Sequence, residues 1–194
     1  MCGRYQFTAV ENESIRRILQ AVEQQYGPGA WQPGEVFPSA PAPVLVQTES
    51  SVAARLALWG FPGGQRGLII NARAETAEQR PMFRGLVSTG RCVVPTSGFY
   101  EWDAARHKYL FRLPGSEAVY LAGLWEQTEE EAHFTILTTA PNTSVADVHD
   151  RMPLVLPPEA VRPWLSDEAA ARRLLHTEPP PLHSTAESGQ LRMW

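Results

Sequence analysis

A chain of 194 residues, 43% apolar and 20% charged, has the composition of one globular domain large enough to bury a core. Its net charge of −4 argues against a protein that coats duplex DNA by bulk electrostatics, although a local cationic groove is compatible with it. No stretch approaches the ~20 apolar residues of a membrane span and no apolar run follows a basic start, so neither an anchor nor a secretion signal is expected, and a cytoplasmic location is.

The chain begins Met1-Cys2-Gly3-Arg4. A small residue after the initiator lets an aminopeptidase remove Met1, which leaves Cys2 as a 1,2-aminothiol. With reference pKa values of about 7.7–8.0 for the amine and about 8.5 for the thiol, both groups are partly nucleophilic near neutrality. The amine can condense with an aldehyde, after which the thiol closes a five-membered thiazolidine. Alternatively the thiol attacks a carbonyl with the amine as its base, as in N-terminal nucleophile hydrolases. Taken alone, the four residues are also what an ordinary start looks like.

Residues 4–8 alternate as a short strand with Tyr5 and Phe7 on one side. Thr8-Ala-Val-Glu11 has capping-box spacing. Ile15, Ile18, Leu19, Val22 and Tyr26 then recur at helical spacing, which predicts one amphipathic helix stopped by Gly27-Pro28. Residues 27–43, rich in Pro and Gly, read as a long surface loop. Short strands are predicted at 44–48, 54–61, 68–71, 91–95, 98–102, 109–113, 118–125 and 133–139. That many short strands suggest a closed or nearly closed antiparallel sheet. The segment 77–88 has room for one helical turn. Helix returns at 158–165, and a second helix with Ser166 as N-cap runs to about Leu175. Residues 177–194, opening Thr-Glu-Pro-Pro-Pro, read as a tail with little core of its own. The expected organisation is one domain over 1–176 and a C-terminal tail over 177–194.

Two cysteines, Cys2 and Cys92, make no disulfide framework and suggest a reducing compartment. Cys92, inside Arg-Cys-Val-Val-Pro, reads as an inert buried thiol. Sixteen of the 17 basic residues are Arg, the exception being Lys108. Arg suits bidentate phosphate contacts. Three internal stretches carry chemistry. In Ile69-Ile-Asn-Ala-Arg-Ala-Glu75 an apolar strand ends in Asn71, Arg73 and Glu75, which alternation puts on one face. In Arg91-Cys-Val-Val-Pro-Thr-Ser-Gly-Phe-Tyr-Glu-Trp102 the carboxylate of Glu101 sits between two aromatics. Pointing inward it would be desolvated and suited to proton transfer; pointing outward it would be an ordinary surface charge. In Thr138-Thr-Ala-Pro-Asn142 followed by His149-Asp-Arg-Met-Pro153, His149 is a candidate acid or base. The five His residues show no paired ligand spacing, so no metal is expected.

Taken together, Cys2-Gly-Arg4, Asn71-Ala-Arg-Ala-Glu75, Ser97-Gly-Phe-Tyr-Glu-Trp102 and His149-Asp-Arg-Met-Pro153 resemble, in this order and spacing, the SOS-response-associated peptidase (SRAP) family over roughly residues 2–165. Members of that family are abasic-site processing proteins, which shield abasic sites in single-stranded DNA by cross-linking to them. The resemblance implies an α+β fold: a compact single domain, mainly an antiparallel β-barrel-like sheet with flanking helices. It implies a cationic groove leading to Cys2. Cys2, Asn71, Glu101 and His149 match the family's catalytic positions. Arg4 and Arg73 match phosphate contacts, Trp59 an aromatic beside the groove and Thr138 a hydroxyl contact, and a further phosphate contact is expected from Arg151. The expected partner is single-stranded DNA containing abasic sites; a monomer is expected, with no cofactor and no membrane partner.

In the chemistry so implied, His149 assists opening of the abasic sugar and the Cys2 amine forms an imine with its aldehyde. The thiolate closes the thiazolidine, Glu101 shuttles protons and Asn71 holds the terminus or the adduct. Strand cleavage by imine chemistry, a lyase activity, stays open. The rival reading of the same residues is a cysteine-type peptidase that removes Met1, with the amine or Glu101 as base and Asn71 as oxyanion donor. A third is a single-strand-binding module without chemistry. Two stretches depart from the family. Many relatives carry Tyr-Asn-x-x-Pro where this chain has Gly34-Glu-Val-Phe-Pro38. The usual longer segment after Trp-Gly is cut to Phe61-Pro-Gly-Gly-Gln-Arg-Gly67.

Overall fold

The computed structural model describes residues 2–8, 13–116 and 118–187. Its strands are β1 (Tyr5–Phe7), β2 (Gly34–Val36), β3 (Pro41–Gln47), β4 (Val52–Trp59), β5 (Phe61–Pro62), β6 (Leu68–Ile69), β7 (Asn71–Arg73), β8 (Arg91–Thr96), β9 (Gly98–Trp102), β10 (Lys108–Arg112), β11 (Val119–Gln127), β12 (Ala132–Thr139), β13 (Met152–Pro153), β14 (Val155–Leu156) and β15 (His183–Glu187). The helices are α1 (Glu13–Tyr26), α2 (Ala74–Ala77), α3 (Pro81–Thr89), α4 (Val161–Ser166) and α5 (Glu168–Leu174).

Five strands close on themselves. β12 pairs β4 in parallel, and antiparallel pairings run from β4 to β3, β3 to β8, β8 to β11 and β11 back to β12. Closure leaves no free edge on the ring. β8 is buried along its whole length because its two faces meet different layers. Cys92 and Val94 point into the barrel with Val44, Trp59, Leu121 and Phe134. Val93 points outward, against the layer formed by Phe83, Val87, Trp164 and Leu165 of α3 and α4. A strand covered on both sides reads as a continuous apolar run, as 91–95 does. Inside, Gly123 faces Cys92: a Cβ there would lie 2.9 Å from the Cys92 Sγ and 2.8 Å from the Thr135 carbonyl oxygen, so the position admits no side chain.

Arg91 clasps the outer helices to the barrel. Its Nε donates to the Trp164 carbonyl at 2.6 Å, Nη1 to the Val87 and Ser88 carbonyls at 2.8 and 2.7 Å, and Nη2 to the Leu165 carbonyl at 3.1 Å. These oxygens lie at the C-terminal ends of α3 and α4, where unpaired carbonyls and the helix dipole both favour a cation.

A second sheet, in the order β15-β10-β9-β1-β2, carries the chain's start. Here the structure departs from the sequence reading in several places. The expected loop over 27–43 contains β2 and the first residues of β3. The region 77–88 falls in two helices, α2 and α3, rather than one turn. The N-cap of α5 is Asp167, whose carboxylate accepts the Ala170 N–H at 3.0 Å, not Ser166. Residues 177–187, expected in a tail, are tied down. Asn142 Nδ2 donates to the Pro179 and Pro180 carbonyls at 3.0 and 3.1 Å, Leu182 is buried, and β15 pairs along the whole of β10. All five side chains of β15 are exposed, so its order comes from backbone pairing and leaves no apolar pattern to detect. The capping box expected at residues 8–11 and the end of the tail at 188–194 fall wholly or partly outside the described residues. No helix among those described is long and apolar enough to cross a membrane.

Candidate functional site

β1 lies between β2 and β9, with Tyr5 opposite Phe99 and Gln6 opposite Gly98. The same register runs on through a 3.0 Å hydrogen bond from the Tyr100 N–H to the Arg4 carbonyl, which sets Glu101 across from Gly3 and beside Cys2. Glu101 shares the parity of Phe99, a core residue, and is 2% exposed. The choice the sequence left open is thereby made: the carboxyl points inward. Burial pushes it up to about 7 from an ordinary 4.5.

Cys2 is fully buried. Burial pushes its thiol above the usual cysteine range, and the charge of Glu101 adds to that shift, so the sulfur is a neutral thiol that needs a base. Its S–H is directed at the Arg4 carbonyl at 3.7 Å. Asn71, the first residue of β7, donates its Nδ2–H to the Cys2 carbonyl at 2.9 Å. Asn71 is positioned by the parallel pairing of β7 with β12, in which it lies opposite Ile136.

His149 lies in the turn before β13, with Nε2 3.8 Å from Glu101 Oε2. Its Nδ1 can accept the Arg151 N–H at 3.0 Å, leaving the Nε2 proton toward Glu101, or donate to Asp150 Oδ1 at 3.0 Å. The ring has a partner for its proton in either tautomer. Burial pulls its pKa below the ordinary histidine value. Burial thus favours the uncharged form of both groups. The four residues Cys2, Asn71, Glu101 and His149, scattered over 148 positions of sequence, meet in one place.

The five expected DNA contacts divide. Arg73 ends β7, exposed, on the rim of a cleft of about 580 Å³ that Asn71, Arg80 and the 45% exposed Met82 also line. Arg4 is half-buried, 3.3 Å from Glu35 and stacked over Phe37 and Trp102. Arg151 is engaged inside the protein. Its guanidinium binds Glu75 through both nitrogens at 2.7 and 3.0 Å and donates to the Thr138 carbonyl at 2.7 Å. Thr138 is 1% exposed, and its hydroxyl donates to the Ala72 carbonyl at 3.4 Å and accepts from Arg151 at 3.3 Å. Trp59 requires the clearest correction. It is fully buried, donates Nε1–H to the Ile70 carbonyl at 2.9 Å and stacks on Phe134 inside the barrel. The inward parity it shares with Ala57 on β4 makes it core rather than groove.

Sequence reasoning did not single out Arg80, Met82, Glu35 or Phe37. Glu35 and Phe37 do lie in the Gly34–Pro38 stretch that departs from the family pattern. Phe37 and Met82 are bulky apolar side chains whose 44% and 45% exposure only the fold reveals.

A family model described as SOS response associated peptidase (SRAP) matches residues 1–189. The chain is 28% identical over 184 residues to the abasic site processing protein YedK of Escherichia coli, covering 89% of this chain and 82% of that one. It is 31% identical over 182 residues to the abasic site processing protein YoaM of Bacillus subtilis, covering 86% and 79%. Among solved structures, a protein from Bacteroides thetaiotaomicron superposes with a TM-score of 0.77 at 20% identity, covering 95% of this chain and 91% of that one. A protein from Bordetella bronchiseptica gives 0.75 at 22%, covering 96% and 100%. At these identities the two structures speak for the fold alone.

Proposed function

The chain belongs to the SOS response associated peptidase (SRAP) family, and from that premise we propose that it processes abasic sites, capturing them in single-stranded DNA as a covalent thiazolidine on Cys2. Removal of Met1 converts the Cys2 amide nitrogen to an amine. His149 moves a proton at the sugar ring oxygen, which opens the ring to its aldehyde. The amine adds to the aldehyde carbon, and the carbinolamine loses water to give an imine. The Cys2 sulfur then bonds to the imine carbon while its proton passes to the imine nitrogen. The balance is aldehyde plus aminothiol to thiazolidine plus water. Glu101 takes the proton from the ammonium and returns it to the departing hydroxyl, the work its pKa near 7 suits it for. β-Elimination from the imine would cleave the strand instead. With amine and thiol on one residue, ring closure has the high effective concentration of an intramolecular step.

The observation that carries this reading is the convergence on Cys2 of Asn71 at 2.9 Å and of the Glu101–His149 pair, 3.8 Å apart. Two further facts favour it over the rivals. A peptidase would need Asn71 as its oxyanion donor, and one of the two N–H groups of the Asn71 amide already goes to the Cys2 carbonyl. The chain's one lysine, Lys108, does not compete for the aldehyde. Burial works against its charge, but the hydrogen bonds it donates to Glu187 and Glu35 outweigh this and hold its pKa above the ordinary value.

The experiment is denaturing electrophoresis after mixing the mature chain, its loss of Met1 checked by intact mass, with abasic single-stranded DNA. A denaturation-resistant band is expected, and none of comparable stability from Cys2→Ala. An undiminished band from the alanine variant would assign the chemistry to another residue.

A further inference from the structure

Arg4 is already occupied. Its guanidinium lies 3.3 Å from one oxygen of Glu35, and the other Glu35 oxygen accepts from Lys108 Nζ at 2.9 Å. Glu35 stands on β2 opposite Gln6 of β1, while Lys108 begins β10, with β1 and β9 between them, so one carboxylate bridges two cations across the sheet's face. Lys108 is held on its far side by Glu187 at 2.9 Å and sits over the Tyr100 ring. The side chains of Arg4, Glu35 and Lys108 are 32%, 34% and 21% exposed, which leaves the bridge open to an incoming anion. A carboxylate and a phosphodiester present the same group to such a pair: two anionic oxygens on one centre.

We propose that Glu35 is a specificity-determining residue whose carboxylate holds the place, between Arg4 and Lys108, that a DNA phosphate takes on binding. The inference rests on the reading of the chain as a DNA-binding protein. A strand gains the two cations only by exchanging its phosphate for Glu35, and solvent-exposed ion pairs are weak enough for that exchange to be readily reversible. Intact strands, which offer phosphates but no aldehyde, are therefore held loosely. An abasic strand is retained by the covalent bond.

The test is Glu35→Gln in the chain freed of Met1, titrated against an intact single-stranded oligonucleotide by fluorescence anisotropy. Loss of one opposing charge should tighten binding and steepen the log–log salt dependence by about 0.7. The gain over the parent should then be about 2.6-fold larger at about 50 mM than at about 200 mM salt. Glu35→Asp, which keeps the charge but retracts it by one methylene, should fall between the two. In an Arg4→Ala, Lys108→Ala background the gain should vanish, because no cation remains for the carboxylate to occupy. A gain that persists undiminished in that background, no gain at all, or an aspartate variant weaker than the parent overturns the proposal. Failure of the parent to form an adduct with abasic DNA would count against the capture chemistry alone, since the titration uses intact strands.

Discussion

Replacing Glu101 by glutamine should make the protein more stable and less active, with a pH dependence that identifies the cause. Glu101 is 2% exposed, and burial pushes its carboxyl up to about 7 from 4.5. A carboxyl with a raised folded-state pKa holds its proton more tightly in the native state than in the unfolded chain. Its effect on stability is therefore nil at low pH and becomes unfavourable as pH climbs from about 4.5 to about 7, where the folded protein must bury a charge. A difference of about 2.5 units at about 1.36 kcal/mol each comes to roughly 3 kcal/mol above pH 7. Glutamine, of the same size and neutral throughout, removes that penalty. For a chain of this length Glu101→Gln should melt about 6–12 °C above the parent at pH 8. Near pH 5 the gain should shrink to about 1 kcal/mol, or about 2–4 °C. Thermal melts by circular dichroism at the two pH values measure both. In parallel, capture of abasic DNA by the parent should rise as pH passes through 7 and then level off, while the glutamine variant is slower by about 10²–10⁴-fold. An equal stability gain at both pH values, or none at pH 8, would refute the claim that a buried charge is held at this site.

Of the three arginines expected at phosphates, Arg73 and Arg151 should behave differently. Arg73→Ala, at the rim of the cleft, should flatten the salt dependence of single-strand binding by about 0.7 without lowering the melting temperature. Arg151→Ala breaks the links to Glu75 and the Thr138 carbonyl and should lower stability by about 1.5–3 kcal/mol; a variant that only weakens DNA binding would restore Arg151 to the groove. Trp59→Phe should likewise cost about 1–3 kcal/mol, through the hydrogen bond lost to the Ile70 carbonyl, while binding to single strands stays unchanged. A clear loss of affinity in a well-folded Trp59→Phe would contradict its placement in the core.

Much of the fold was legible because it is written in short-range periodicity. The 3.6-residue spacing from Ile15 to Tyr26 marked α1 as far as Gly27, since a helix must present one apolar stripe. The unbroken run at 91–95 marked β8, and many short strands between turns pointed to a closed sheet. β2 and β15 were missed for the same reason in reverse. β2 is three residues long, and β15 buries none of its side chains, so neither carries a pattern.

The sequence by itself determined which residue types were available for the chemistry: a cysteine next to Met1, the amide of Asn71, the carboxylate of Glu101 flanked by aromatics, the imidazole of His149 and a single lysine beside sixteen arginines. Tertiary structure alone decided what each could do. Strand pairing turned Glu101 inward, where burial raises its pKa, and turned Trp59 into the barrel, where it can touch no ligand. The parallel pairing of β7 with β12 brought Asn71 to Cys2 across 69 residues of chain. Salt-bridge partners divided the arginines, committing Arg151 to Glu75 and Arg4 to Glu35 while leaving Arg73 exposed at the cleft. Exposure, pKa and ion pairing depend on neighbours distant in sequence, and local spacing holds no record of which neighbours closure of the barrel will supply.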